Sequence, residues 1–216
     1  MIYNFKNLKA VFFDLDGVIC DTEPLRFKSY QELFRIEFQK DLPSKYMRKR
    51  VGLPLIENFK FYLKVLGIDN YDLKLLIEKR NIILSNLISK NISYDKKTYD
   101  LFYRLSNLGL KIILVTNSSS IYAKNILSKL NILTFFDHIV SGSDLKISKP
   151  NPEIYNIALN IVKLQKSEII AIEDTNSGVE AATTAGLTCY AIKRDYIKSI
   201  NLNKKLIYNN IFEIFE

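Results

Sequence analysis

The chain has 216 residues, 31 Lys and Arg against 23 Asp and Glu for a formal charge of +8, and 48% hydrophobic residues. This length and composition exclude wholesale disorder and suit one large domain, or one domain with a smaller one inserted. No apolar run approaches the roughly 18–20 residues of a membrane span. Cys20 and Cys189 lack CxxC or histidine companions, which argues against a disulfide framework and a zinc site.

In chain order, the first predicted strand is Lys9-Ala10-Val11-Phe12-Phe13-Asp14, which follows the N-terminus within a few residues and leaves no room for a signal peptide. With the lone cysteines, this makes a reduced, cytoplasmic protein the expectation. The continuous apolar run ending in an acid suits a strand of a parallel sheet, buried on both faces.

Residues 24–92 are helical in pattern, with Leu55, Ile56, Phe59, Tyr62, Leu63 and Leu66 at helix spacing. So long a block between two strands is too long for one crossover and reads as an inserted cap. It carries 14 basic and 7 acidic residues, nearly all of the chain's excess charge. The pI near 9.3 raises the question of nucleic acid. Lysine, however, supplies most of the charge, and the wealth of Ile, Asn, Lys, Tyr and Phe with only 7 Gly and 5 Pro is the bias of a low-GC coding sequence. No Cys-His finger, aromatic-glycine strand or long basic tail appears, so a nucleic-acid partner is not expected.

Beyond residue 94, strands at 111–116, 138–141, 169–174 and 188–192 alternate with helices near 98–108, 120–131, 152–163 and 177–185. That alternation predicts an α/β fold, a Rossmann-like parallel sheet formed by residues 1–22 and 94–216, with a helical cap at 23–93. Ser177-Gly178-Val179-Glu180 reads as a capping box with Gly186 closing that helix, and Asn151-Pro152 as an N-cap followed by proline in the first helical position.

Four polar stretches follow predicted strands: Asp14-Leu15-Asp16-Gly17-Val18, Thr116-Asn117-Ser118-Ser119-Ser120, Lys149-Pro150-Asn151-Pro152 and Glu173-Asp174-Thr175. In an open α/β sheet the crevice lies outside the carboxyl ends of the strands, so all four converge at one edge. A hydroxyl-rich loop opening a helix suits an anion, Pro150 biases Lys149 away from helix, and Asp14 and Asp16 leave their strand on one side where Gly17 permits a sharp turn.

In this order the stretches resemble the haloacid dehalogenase-like superfamily, and more narrowly its β-phosphoglucomutase-like phosphatases with a helical cap. The likeness extends through Asp21-Thr22-Glu23-Pro24-Leu25 and Ser177–Gly186 and covers nearly the whole chain. It implies a hydrolase that uses Mg²⁺ and forms an aspartyl-phosphate. Asp14 would be the nucleophile, with Asp16 as general acid and then base. Asp14, the backbone carbonyl of Asp16 and Asp174 would hold the metal, with Glu173 supporting them or as an occasional ligand. Thr116, Asn117 and Lys149 would hold the transferring oxygens. The second acid, Asp16, separates this chemistry from dehalogenation, because halide leaves without a proton and an alcohol does not. His138 needs no catalytic role.

Departures from the family pattern lie mainly in the cap. Arg26 stands where many relatives carry histidine, and Val51 and Leu55 occupy the positions of a lysine and an arginine expected of a true β-phosphoglucomutase. Glu23, Arg26, Arg48, Lys49, Arg50 and Gly52 are the cap candidates for substrate contact. The expectation is a phosphatase acting on a small phosphorylated metabolite such as a sugar phosphate. A phosphosugar mutase is the alternative within the class, and a non-catalytic basic binding protein the alternative outside it. With no strong association stripe, the oligomeric state stays open and a monomer is favoured.

Overall fold

A computed structural model of the chain describes residues 7–51, 53, 55–197 and 199–215, without the side chains of Arg48 and Lys49. Its elements are β1 (Ala10–Phe13), α1 (Glu23–Phe38), α2 (Leu55–Leu66), α3 (Leu73–Asn91), α4 (Lys96–Asn107), β2 (Lys111–Thr116), α5 (Ser120–Lys129), β3 (His138–Ser141), α6 (Gly142–Leu145), α7 (Glu153–Val162), β4 (Ile169–Glu173), α8 (Asn176–Thr184), β5 (Thr188–Ile192), β6 (Ile207–Tyr208) and α9 (Phe212–Phe215). They form two compact units, one running to Asp21 and resuming at Ser93, the other Thr22–Ile92.

In the first unit all six strands run parallel in the order β3-β2-β1-β4-β5-β6. β1 is central, and the order reverses between β1 and β4, the place where a doubly wound sheet opens a crevice at its carboxyl end. All four β1 residues are buried. Side chains alternate across a strand, so Ala10 and Phe12 join the cluster containing Ile154, Tyr155, Val179 and Ala182 on α7 and α8. Phe13, on the other face, packs against Phe102 of α4 and Phe136, with centroids 5.1 and 6.5 Å away. This two-sided burial is why the strand reads as an unbroken apolar run.

The helix starts differ from the sequence reading where two polar residues compete to cap. α4 begins at Lys96 because Asp95 Oδ2 accepts from Thr98 N and Oγ1 at 2.8 and 2.6 Å. The Ser177 capping box is not formed: Thr175 is the N-cap, its Oγ1 accepting from Gly178 N at 3.2 Å, and Ser177 lies inside the helix. α7 starts at Glu153 with Pro152 in the cap position, although Asn151 Oδ1 still accepts from Glu153 N at 2.9 Å. The short α6, β6 and α9 were not foreseen, since two to four residues carry no readable period.

The second unit packs its helices around an aromatic cluster that includes Phe27, Tyr30, Phe34, Phe59 and Tyr62. Tyr30 meets Phe59 and Tyr62 edge-on, each at 5.0 Å between centroids. Of the residues predicted on one α2 face, Phe59, Tyr62 and Leu63 are buried while Ile56, in the first turn, remains exposed.

Candidate active site

The site forms one residue beyond β1. Asp14 N donates to Ile172 O at 3.0 Å, continuing the β1–β4 pairing and fixing the Asp14 carboxylate beside the end of β4. Lys149 approaches from the loop after α6, where Asn117 Oδ1 accepts from its backbone N at 2.9 Å and ties together the loops that follow β2 and α6. Its Nζ reaches Asp14 Oδ1 at 2.6 Å, Glu173 Oε1 at 2.6 Å and Val115 O at 2.7 Å. An ammonium has three donors, so all are engaged. Contact with a phosphoryl oxygen requires Lys149 to exchange one of these partners.

Asp14, Glu173 and Asp174 bring carboxylate oxygens within 4.8 Å of one another, all three side chains buried. Three carboxylates around one ammonium leave an excess of two negative charges when fully ionised. Burial, reinforced by Glu173 and Asp16 and opposed by Lys149, pushes the Asp14 carboxyl up to about 7. Burial works against the Lys149 charge, but Asp14 and Glu173 more than offset it and hold the ammonium above its ordinary range. A hard dication with a preference for oxygen ligands fits this donor set, because it sets positive charge beside a carboxyl that burial, helped by Glu173 and Asp16, inclines to keep its proton. Glu173 Oε1, besides meeting Lys149, also accepts from the Tyr155 hydroxyl.

Two glycines allow the backbone to approach these acids. A Cβ on Gly17, whose φ is +85°, would lie 1.8 Å from Asp174 Oδ2, and one on Gly178 would lie 2.0 Å from Glu173 Oε2. No side chain fits either position without displacing a carboxylate.

Asp16 stands apart from the ammonium cluster. Its Oδ2 accepts from Ser118 Oγ at 2.6 Å and its Oδ1 from the Tyr122 hydroxyl at 2.9 Å. The loop that delivers Ser118 is braced from within, Thr116 Oγ1 accepting from Ser118 N at 3.1 Å, and from the end of β3, where Ser141 Oγ donates to Ser118 O at 2.8 Å. Asp14, Asp16, Thr116, Asn117, Lys149, Glu173 and Asp174 thus gather at one end of the sheet. Arg194 Nε donates to Gly17 O at 2.6 Å and Tyr196 OH to Asp21 Oδ1 at 2.7 Å, fastening the loop after β1. Tyr122, Tyr155, Arg194 and Tyr196 were missed by sequence reasoning. For Tyr155, on a buried helix face, the readable signal was a phenol whose polar tip needs a partner. His138 lies at the exposed start of β3.

The cap candidates belong to the other unit. Glu23 Oε1 pairs with Arg26 Nε at 3.2 Å. Arg50 Nε donates to Asn58 Oδ1 at 2.9 Å, and its guanidinium lies 4.7 Å from the Phe61 centroid. Gly52 and the side chains of Arg48 and Lys49 lie outside the described residues. Among the described residues no helix is long and apolar enough to cross a membrane.

A family model described as Haloacid dehalogenase-like hydrolase matches residues 11–192. The phosphorylated carbohydrates phosphatase of Thermotoga maritima is 30% identical over 206 residues, covering 93% of this chain and 90% of that protein. The beta-phosphoglucomutase of Bacillus subtilis is 32% identical over 188 residues, covering 83% and 81%. In fold, CbbY of Rhodobacter sphaeroides, solved with phosphate, superimposes with a TM-score of 0.82 at 21% identity over 94% of each chain.

Proposed function

The chain belongs to the haloacid dehalogenase-like hydrolase family, and from that premise we propose that it hydrolyses a small phosphomonoester, a sugar phosphate or related metabolite, through a phosphorylated Asp14. The observation that carries this reading is the buried Asp14 carboxylate, held 2.6 Å from Lys149 with Asp174 beside it at the sheet's carboxyl end. The relatives named as acting on phosphorylated sugars support the substrate class. A reduced, cytoplasmic setting belongs to the same reading.

Asp14, the Asp16 carbonyl and Asp174 would hold Mg²⁺. Bound there, the ion would supply positive charge against the repulsion between a carboxylate and a phosphate dianion. Asp14 attacks phosphorus in line as the bond to the leaving oxygen breaks. Lys149 steadies Asp14 and compensates its charge, and the Thr116–Ser118 loop offers hydroxyl and backbone donors to the phosphoryl oxygens. Asp16 gives its proton to the departing alkoxide. In the second half-reaction Asp16 takes a proton from the water that attacks phosphorus and releases Asp14.

The test is a panel of phosphoesters assayed with Mg²⁺ against an Asp14→Asn control. Release of phosphate that requires the metal and falls at least about a thousandfold in the variant is expected. Phosphosugar interconversion that needs a bisphosphate primer and yields little free phosphate would identify a mutase instead. Salt-dependent nucleic-acid binding indifferent to Asp14 would point to a binding protein.

A further inference from the structure

Asp16 must work in two protonation states. Asp14 and Glu173 share Lys149, a full charge, whereas each carboxyl oxygen of Asp16 accepts from a hydroxyl. One donor, Ser118, belongs to the phosphate-facing loop. The other, Tyr122, lies in the first turn of α5, and that turn is held by Ser119, whose Oγ accepts from Tyr122 N at 3.3 Å. Ser119 therefore sets the direction from which the phenol meets Asp16. Tyr122 reaches across 106 positions of sequence to do so, and no role in the mechanism above has been given to it.

We propose that Tyr122 is the positioning residue of the general acid, holding the Asp16 carboxyl in one place through both halves of the reaction. The inference rests on the phosphatase reading and adds a residue to it. A lysine or arginine in this position would favour the ionised carboxylate, whereas a hydroxyl both donates and accepts. Tyr122 donates to the Asp16 carboxylate and, by rotating its hydroxyl hydrogen, accepts from the carboxylic acid. In the first half-reaction the Asp16 proton passes to the leaving oxygen as the ester P–O bond breaks and the Asp14–phosphorus bond forms. In the second, the Asp16 carboxylate takes a proton from the attacking water as the acyl-phosphate P–O bond breaks. One proton leaves Asp16 and one returns. At no point does the phenol itself need to ionise.

A group that places a general acid matters in proportion to how much the leaving group needs a proton. The full-length Tyr122→Phe variant, which keeps the ring, is compared with wild type under saturating Mg²⁺ for 4-nitrophenyl phosphate, phenyl phosphate and an alkyl phosphate turned over by the wild type. The expected loss in kcat/KM is about tenfold for the phenyl and alkyl esters, the cost of one hydrogen bond, and less than about twofold for the nitrophenyl ester, which departs unprotonated. Equal losses on all three esters, or none on any, overturn the assignment. In an Asp16→Asn background, adding Tyr122→Phe is expected to change single-turnover phenol release from phenyl phosphate by less than about twofold, since the group it positions is gone. A further tenfold loss there also overturns it. A wild-type chain that releases no phosphate from any ester overturns the phosphatase reading itself, a result distinct from an even loss across the series.

Discussion

Lys149 in the α/β unit and Arg80 in the helical unit are both withdrawn from water, at 6% and 3% exposure, but they are accommodated differently. Lys149 is surrounded by charge, with two carboxylates and a carbonyl on its three donors. Arg80 lies 4.7 Å from the centroid of Tyr30, with contacts of 3.4 Å to Arg26 O and Asn81 Oδ1. A buried ionic cluster adds little net stability over a well-packed apolar one, because desolvation cancels most of the attraction. The acids around Lys149 are therefore best explained by chemistry, and the aromatic setting of Arg80 by packing.

The largest effect that tests this contrast is Lys149→Met. It leaves buried carboxylates uncompensated, and a loss of about 3–5 kcal/mol is expected in urea unfolding along with the loss of turnover. Unchanged stability would break the comparison. Gly178→Ala should cost about 2 kcal/mol, although alanine is ordinarily the better helix former by about 1 kcal/mol, because the added methyl must displace Glu173. A stabilised variant would show that the helix yields freely. Arg80→Met, which keeps much of the apolar stem, should lower stability by about 1–2 kcal/mol through loss of the ring contact.

A further test is a pH dependence. Burial raises the folded-state value of Asp14 from 3.8 to about 7, so its protonated form is the one favoured by folding. In the metal-free protein that contribution is complete below pH about 4 and is lost as pH rises through about 7. Mg²⁺ competes with the same proton and should raise the unfolding temperature by a few degrees at pH 8 and by less at pH 6. A metal shift independent of pH would separate Asp14 from the metal site.

The strands were legible because β1, β2, β4 and β5 are buried on both faces and must be apolar at consecutive positions. Asp14, Lys149 and Asp174 were legible because charged residues at strand ends in an α/β chain have few other reasons to cluster. Tyr122 and Tyr155 were not, since a tyrosine at helical spacing reads as packing until the target of its hydroxyl is known. Arg194 and Tyr196 follow the last strong strand in a stretch without periodicity, and their targets, Gly17 and Asp21, lie more than 170 positions away. Thr175 rather than Ser177 is the cap because the backbone enters the helix at Asn176, a question of backbone angle that spelling does not answer.

The central place of β1 has a consequence for how the protein is made. The strand that leads into Asp14 is synthesised before its neighbours, which start at Lys111 and Ile169, and before the clasp on its loop from Arg194 and Tyr196. A nascent or prematurely terminated chain thus holds Asp14 without Lys149, Asp174 or a paired strand to orient it. The site therefore cannot assemble before Asp174 has been added, and copies that stop short of it are chemically silent.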